Sequence, residues 1–235
     1  MKRTVIITGG TKGLGREIAL AFGRAGYFVI AFYAADTTAA RVLGDDFAAA
    51  GVAGSVLQYD VTTENPAIWD RPEILEADGL TLIHNACPPF TPTPMHQLNW
   101  DHFQRGFDVA VRGGWNCSQA LIRQMLKKGN GTIVNMLTSA VEGMPPKGFG
   151  AYVVAKHALR GLTFAQAVEY GPRGVRVFSV SPGYMQTPLT GQWDERLQQA
   201  IRSASRNSIP AAAAERLFEL VVDQGVAGKG EDYPI

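Results

Sequence analysis

The chain is poor in the residues that would tie it to metal, disulfide, membrane or nucleic-acid chemistry. Only two cysteines occur in 235 residues, Cys87 and Cys117, which form no CxxC pair and no disulfide framework. A reducing, cytoplasmic setting is therefore expected. The four histidines (His84, His96, His102, His157) lack metal-ligand spacing, so no metal is expected. No run approaches the ~20 apolar residues of a membrane span. The apolar stretch Val5-Ile6-Ile7 near the start is too short for a signal-peptide core. Charge of one sign is also missing: 22 Lys+Arg against 21 Asp+Glu leave a formal net charge of +1, and with it no electrostatic case for nucleic acid. With 46% hydrophobic and 18% charged residues the chain is globular rather than disordered, and long enough for one large core.

What is present is a regular alternation. Val5–Thr8, Tyr27–Tyr33, Ser55–Tyr59, Leu80–His84, Thr132–Leu137 and Val175–Val180 read as strands. Between them Leu14–Ala25, Thr37–Ala50, Trp100–Leu126 and Ala151–Tyr170 carry helical periodicity. Strands alternating with helices imply βαβ units, a parallel sheet and right-handed crossovers. No repeat, linker or low-complexity break interrupts the pattern, so residues 1–235 are expected to form a single α/β domain: a Rossmann-type, doubly wound parallel sheet in a three-layer αβα sandwich. Two proline-rich patches, residues 88–94 and Pro145-Pro146, follow predicted strands. They belong at the carboxyl edge of such a sheet, where ligands bind.

Thr8-Gly9-Gly10-Thr11-Lys12-Gly13-Leu14-Gly15 joins the first strand to the first helix. Glycines there let the backbone approach a pyrophosphate, and the helix N-terminus favours its negative charge. The spacing is TGxxxGxG, not GxGxxG. Further on, Ser139 precedes Tyr152 by thirteen residues, and Tyr152 and Lys156 stand four apart in a helical segment, on one face. A neighbouring ammonium favours the phenolate of a tyrosine that alone has a pKa near ~10.

Together these motifs resemble the short-chain dehydrogenase/reductase family, over nearly the whole chain. The chain looks most like 3-ketoacyl carrier-protein reductases and polyketide ketoreductases. The resemblance implies hydride transfer between a nicotinamide and a carbonyl or alcohol, with Tyr152 as proton donor, Lys156 on the nicotinamide ribose and Ser139 on the substrate oxygen. Gly131 to Ser139 is one residue longer than usual, which leaves Thr138 as a second candidate for the hydroxyl. The resemblance implies a cofactor set of Gly9, Thr11, Lys12, Gly13, Leu14, Gly15, Tyr33, Asp60, Val61, Asn85, Ala86, Pro182, Gly183 and Thr187, beside Tyr152 and Lys156. The second strand ends without the carboxylate that reads the ribose 2′-hydroxyl of NAD; Asp36 comes too late and is expected to cap the next helix. Lys12 stands where similar reductases place a base for the 2′-phosphate. NADP(H) is therefore the expected cofactor, with NAD(H) the alternative.

The chain departs from the family pattern at three positions. His84 and Cys87 flank Asn85-Ala86 where Asn and Gly are usual. Ala110 takes the place of an asparagine that helps hold a water between the lysine and solvent. Either another group supplies that relay, or the chain is a cofactor-binding sensor or scaffold without turnover. Substrate is expected to meet Phe90, Met144, Phe149, Tyr184, Met185, Leu189 and Trp193, a mostly apolar set that suits an apolar ketone or β-ketoacyl chain, free or carrier-bound. Residues from about 187 to 208, helical over Leu189–Ser205, are expected to form a lid. The last strand is expected to be short and weakened by Pro234. The resemblance implies a homodimer or homotetramer.

Overall fold

The computed structural model of the protein describes residues 2–223, 225 and 228–235. The strands are β1 (Arg3–Thr8), β2 (Phe28–Tyr33), β3 (Gly54–Gln58), β4 (Gly79–His84), β5 (Gly131–Met136), β6 (Val175–Ser181) and β7 (Lys229–Pro234). They form one parallel sheet in the order β3-β2-β1-β4-β5-β6-β7. The chain leaves β3 at one edge and returns as β4 beside β1, with Thr8 opposite His84. Strand order reverses there, and a crevice opens beyond the carboxyl ends of the strands. Val5, Ile6 and Ile7 are all fully buried, as a strand covered on both faces requires.

The helices are α1 (Gly13–Arg24), α2 (Thr37–Ala50), the single turn α3 (Pro72–Leu75), α4 (Trp100–Phe107), α5 (Gly113–Lys128), α6 (Gly150–Tyr170), α7 (Glu195–Ala204) and α8 (Pro210–Val222). On one face of the sheet Ile18 and Phe22 of α1 meet Leu43 and Phe47 of α2 and Leu217 of α8. On the other face Cys117, Leu121 and Met125 of α5 pack on Ile6, Leu82 and Ile133. Each such side chain stabilises the fold by about 1.5–3 kcal/mol on burial. The arrangement is the three-layer, Rossmann-type sheet expected.

Four details differ from expectation. Helix α8 went unread, although Pro210 at its first turn and Leu217, Leu220 and Val221 on its buried side are ordinary signals. Its alanine run blurs the apolar periodicity. The segment after Thr187 is not one helix: turns run to Trp193, and Asp194 then starts α7 by accepting from the backbone N–H of Arg196 and Leu197. Strand β7 has six residues and pairs to its end, Pro234 lying opposite Ser181. It is an edge strand, where a missing N–H costs least. The long helix over residues 100–128 contains a wide turn at Asp108–Arg112. Such a turn adds a residue to the ladder without changing the residue types that build it.

That wide turn is held by an unusual set of bonds. Thr8 Oγ1 accepts from the backbone N–H of Asn85 at 3.0 Å and of Ala86 at 2.9 Å. With its acceptor capacity used, the hydroxyl donates to His84 Nδ1 at 3.1 Å. His84 Nε2 therefore carries the ring proton and donates to the Ala110 carbonyl at 3.0 Å. Burial, helped by the positive charge of Lys156, holds His84 down at about 4 from an ordinary 6.5. The folded value lies below the unfolded one, so the neutral ring's contribution is complete above pH 6.5 and is lost as pH falls toward 4. Between pH 6.5 and pH 5 the loss is about 2 kcal/mol. His84→Gln removes this titration, and its unfolding midpoint should fall less steeply with acid than that of the parent. Parallel pH profiles of the two proteins would show that His84 does not titrate as described.

Candidate active site

A cleft of about 930 Å³ lies at the carboxyl ends of the strands, lined by the loops that follow β1 to β6. At one end is the β1–α1 loop. Gly9 and Gly13 adopt φ of 62° and 55°, a left-handed backbone that side chains resist. Helix α1 begins at Gly13 with no side-chain cap and no acid in its first turn, so its leading N–H groups point at the cleft unclaimed by a side chain. A helix start of this kind favours negative charge. Asn85 Nδ2 donates to the carbonyls of Thr8 at 3.1 Å and Gly9 at 3.0 Å, locking the loop to the end of β4. Thr11, Lys12, Leu14, Gly15, Tyr33, Asp60, Val61, Asn85 and Ala86 all face this part of the cleft. Asp60 also accepts from the N–H and hydroxyl of Thr62, at 2.9 and 2.8 Å. Asp36 caps α2 by accepting from Ala39 N–H at 2.9 Å, and it pairs with Lys12 Nζ at 2.9 Å.

At the other end α6 places Tyr152 and Lys156 one turn apart. Lys156 is 4% exposed and donates from Nζ to the Met136 carbonyl at 2.6 Å. Its Nζ lies 5.8 Å from the centre of the Tyr152 ring. Burial lowers the lysine and raises the Tyr152 phenol above its ordinary value; nearby Cys87 pushes the phenol further up, and a hydrogen bond with the Thr138 side chain pulls it back. Burial likewise raises the Cys87 thiol, which keeps it a thiol rather than a nucleophilic thiolate. Thr138 and Ser139 both line the cleft. Thr138 is extended (φ −169°, ψ 148°), and Ser139 opens a short turn, its N–H donating to Pro182 O at 2.8 Å. Pro182, Gly183 and Thr187 complete the lining at the end of β6.

Aromatic rings close the cleft above Tyr152. Phe90 stacks on the Tyr152 ring at 4.5 Å and 10°. Phe149 and Trp193 meet Phe90 edge-on at 5.3 and 5.2 Å. The Trp193 indole N–H donates to the Phe90 carbonyl at 2.9 Å, which ties the segment after Thr187 to the β4–α4 loop. Tyr184, Met185 and Leu189 line the same space. The proline-rich patches join through Thr93 N–H and the Gly148 carbonyl at 3.0 Å, and Pro88, Pro89 and Pro146 reach the cleft. Met144 does not: it is 97% exposed and outside the lining, a correction to the sequence expectation. It sits in a bend between Gly143 and Pro145 that carries it into solvent. Asp101, Gln104 and Arg105 of α4 and Ile201 of α7 do line the cleft and were missed. No motif marks them, because only the packing of α4 and α7 brings them there. Ala110 lies outside the lining and packs on Leu137, Ala155 and Leu159.

Comparison with known proteins decides the family. Residues 3–198 match the family model of the short chain dehydrogenases. The chain belongs to that family. An uncharacterized oxidoreductase of Escherichia coli K12, YohF, is 30% identical over 99% of this chain and 91% of its own length. The 3-oxoacyl-[acyl-carrier-protein] reductase FabG of Staphylococcus epidermidis is 30% identical over 84% of this chain and 81% of its own. A solved structure from Beutenbergia cavernae, described as an NAD(P)-dependent gluconate 5-dehydrogenase and carrying NADP at low occupancy, superimposes with a TM-score of 0.86. It covers 99% of this chain and 94% of its own at 24% identity, a likeness of fold. This short chain dehydrogenase is thus an NAD(P)-dependent oxidoreductase. The residues present fit a nicotinamide dinucleotide: an uncapped helix N-terminus and open glycine loop for its phosphates, and a tyrosine–lysine pair at the far end of one cleft.

Proposed function

We propose that the protein is an NADPH-dependent reductase of apolar ketones or β-ketoacyl compounds. The observation that carries this is the pair of partly buried Tyr152 and buried Lys156 at the base of an aromatic cage. Bound NADPH supplies the hydride to the carbonyl carbon. Tyr152 O–H hydrogen-bonds the carbonyl oxygen, stabilises the charge that develops there and gives up its proton to it. Burial keeps the phenol protonated at neutral pH, as a donor must be. Lys156 holds the nicotinamide ribose, and its ammonium steadies the phenolate left behind. Gly9 to Gly15 receive the pyrophosphate, Asp60 and Val61 the adenine, and Pro182, Gly183 and Thr187 flank the nicotinamide. Phe90, Phe149, Tyr184, Met185, Leu189 and Trp193 meet the substrate, with the segment 187–208 as lid. At Ala110, where the family has asparagine, His84 donates to the backbone carbonyl of the turn. The enzyme is expected to act in the cytoplasm as a homodimer or homotetramer, on a free or carrier-bound substrate.

The second hydroxyl on the carbonyl oxygen comes from Ser139, whose spacing to Tyr152 is that of the family, or from Thr138, which lines the cleft beside it. Ser139→Ala and Thr138→Ala separate them. Loss of either donor from an oxyanion site costs roughly 10²–10³ in turnover. The variant that loses this much, with cofactor affinity unchanged, identifies the donor; two variants of near-parental rate would remove the second hydroxyl from the mechanism. The function itself is tested by following NADPH oxidation with β-ketoacyl thioesters, simple apolar ketones and, as a polar control, keto-sugar acids. Turnover of the apolar classes alone is expected. A preference for the sugar acids would reject the substrate class and leave the oxidoreductase standing.

A further inference from the structure

Arg206 lies between α7 and α8 and outside the cleft lining, yet it grips both loops at the reacting end. Its Nη2 donates to the carbonyl of Ser181, the last residue of β6, and to Glu142 Oε1 at 3.0 Å. Glu142 closes the short turn that Ser139 opens, its N–H donating to the Ser139 carbonyl at 3.1 Å. One nitrogen therefore joins the segment carrying Thr138 and Ser139 to the segment that runs on into Pro182 and Gly183. Beside it, Ser139 N–H bonds the Pro182 carbonyl at 2.8 Å. The Arg206 backbone is itself fixed. Its carbonyl accepts from Tyr184 N–H at 2.6 Å, and Ser208 N–H donates back to the Tyr184 carbonyl at 2.9 Å. Gly183 packs so closely here that an added Cβ would overlap the Arg206 carbonyl oxygen.

We propose that Arg206 is a positioning residue for hydride transfer. Through Glu142 and Ser181 it holds the hydroxyl that meets the carbonyl oxygen at one distance from the loop that flanks the nicotinamide. The proposal rests on the reading above, in which these two loops meet carbonyl and nicotinamide. The argument is one of scale. The Arg206 and Glu142 side chains are 35% and 41% exposed, so their ion pair contributes little to stability. Transfer between two bound groups depends steeply on geometry, and a displacement of about 1 Å costs up to ~10² in rate. A bond of small consequence for the fold is then of large consequence for the reaction.

The test compares Glu142→Ala, Arg206→Met, Arg206→Lys and the double variant Glu142→Ala/Arg206→Met, following NADPH oxidation with a simple apolar ketone. Glu142→Ala should lower kcat by about three- to tenfold, and Arg206→Met by about ten- to a hundredfold. Unfolding midpoints and NADPH affinity should stay near parental, because neither side chain lines the cleft. Arg206→Lys keeps a cation with several donors and should recover part of the loss. The double variant should be no slower than Arg206→Met alone, since both substitutions undo one clasp. If Arg206→Met fails to fold, the exposed Glu142→Ala and the conservative Arg206→Lys carry the same comparison. Parental kcat in the single variants, additive losses, or losses matched by weaker NADPH binding or a lower unfolding midpoint would overturn the proposal and leave the reductase reading standing. A parental protein that turns over no ketone would overturn both.

Discussion

Tyr152→Phe should reduce carbonyl reduction by about 10²–10⁴ while NADPH affinity stays within about twofold. The substitution is unusually clean in this structure. The ring stacks on Phe90 at 4.5 Å and meets Phe149 edge-on at 5.9 Å, contacts that phenylalanine keeps. What goes is the hydroxyl, and with it the proton for the substrate oxygen. The parental pH profile follows with a definite sign. The phenol is raised by burial, and a donor must be protonated, so reduction should hold through neutral pH and fall only on the alkaline side. A Tyr152→Phe protein that keeps more than about a tenth of its turnover would place the proton donor elsewhere, since a positioned acid contributes at least ~10².

Gly15→Ala should abolish detectable NADPH binding, destabilise the fold by about 1–3 kcal/mol, or do both. Its effect is steric. Gly15 sits inside α1, in ordinary helical backbone, yet an added Cβ would overlap the Gly9 carbonyl oxygen and lie 2.7 Å from Asn85 Nδ2 and 3.0 Å from Gly10 Cα. None of these can yield cheaply. The Gly9 carbonyl and Asn85 are bonded to each other, and Asn85 also grips Thr8. The methyl therefore pushes α1 off the loop that its N-terminus must close on the phosphates. Gly44 is the contrasting position, a helical glycine whose added Cβ meets nothing within 4 Å. Gly44→Ala should bind NADPH as the parent does and gain about 0.5–1 kcal/mol. Equal affinities for Gly15→Ala and the parent, measured by fluorescence titration, would show that the loop opens more readily than its packing implies.

The order of strands and helices was legible because parallel strands, buried on both faces, leave continuous apolar runs such as Val5-Ile6-Ile7, and because a glycine loop and a four-residue Tyr–Lys spacing carry their geometry with them. The lining of the cleft by the loop glycines, Asn85, Tyr152 and Lys156 follows from those local patterns. What could not be read depends on packing. Arg105 and Gln104 reach the cleft only through the packing of α4 against α6. The stack of Phe90 on Tyr152 joins residues that no spacing relates. The wide turn around Ala110 is bonded to His84, twenty-six residues earlier, a contact that no local pattern announces. Met144 failed for a similar reason: a hydrophobic residue in a loop near the site was expected to face inward, and the bend that carries it turned it out.

The most direct test of the account is transfer of label. NADPH carrying deuterium on its reactive carbon is mixed with the protein and an apolar ketone, and the alcohol is weighed by mass spectrometry. One deuterium is expected on the carbinol carbon for each NADPH consumed, and almost none from Tyr152→Phe. NADPH that binds but is never consumed, with every apolar ketone and β-ketoacyl thioester tried, would contradict it.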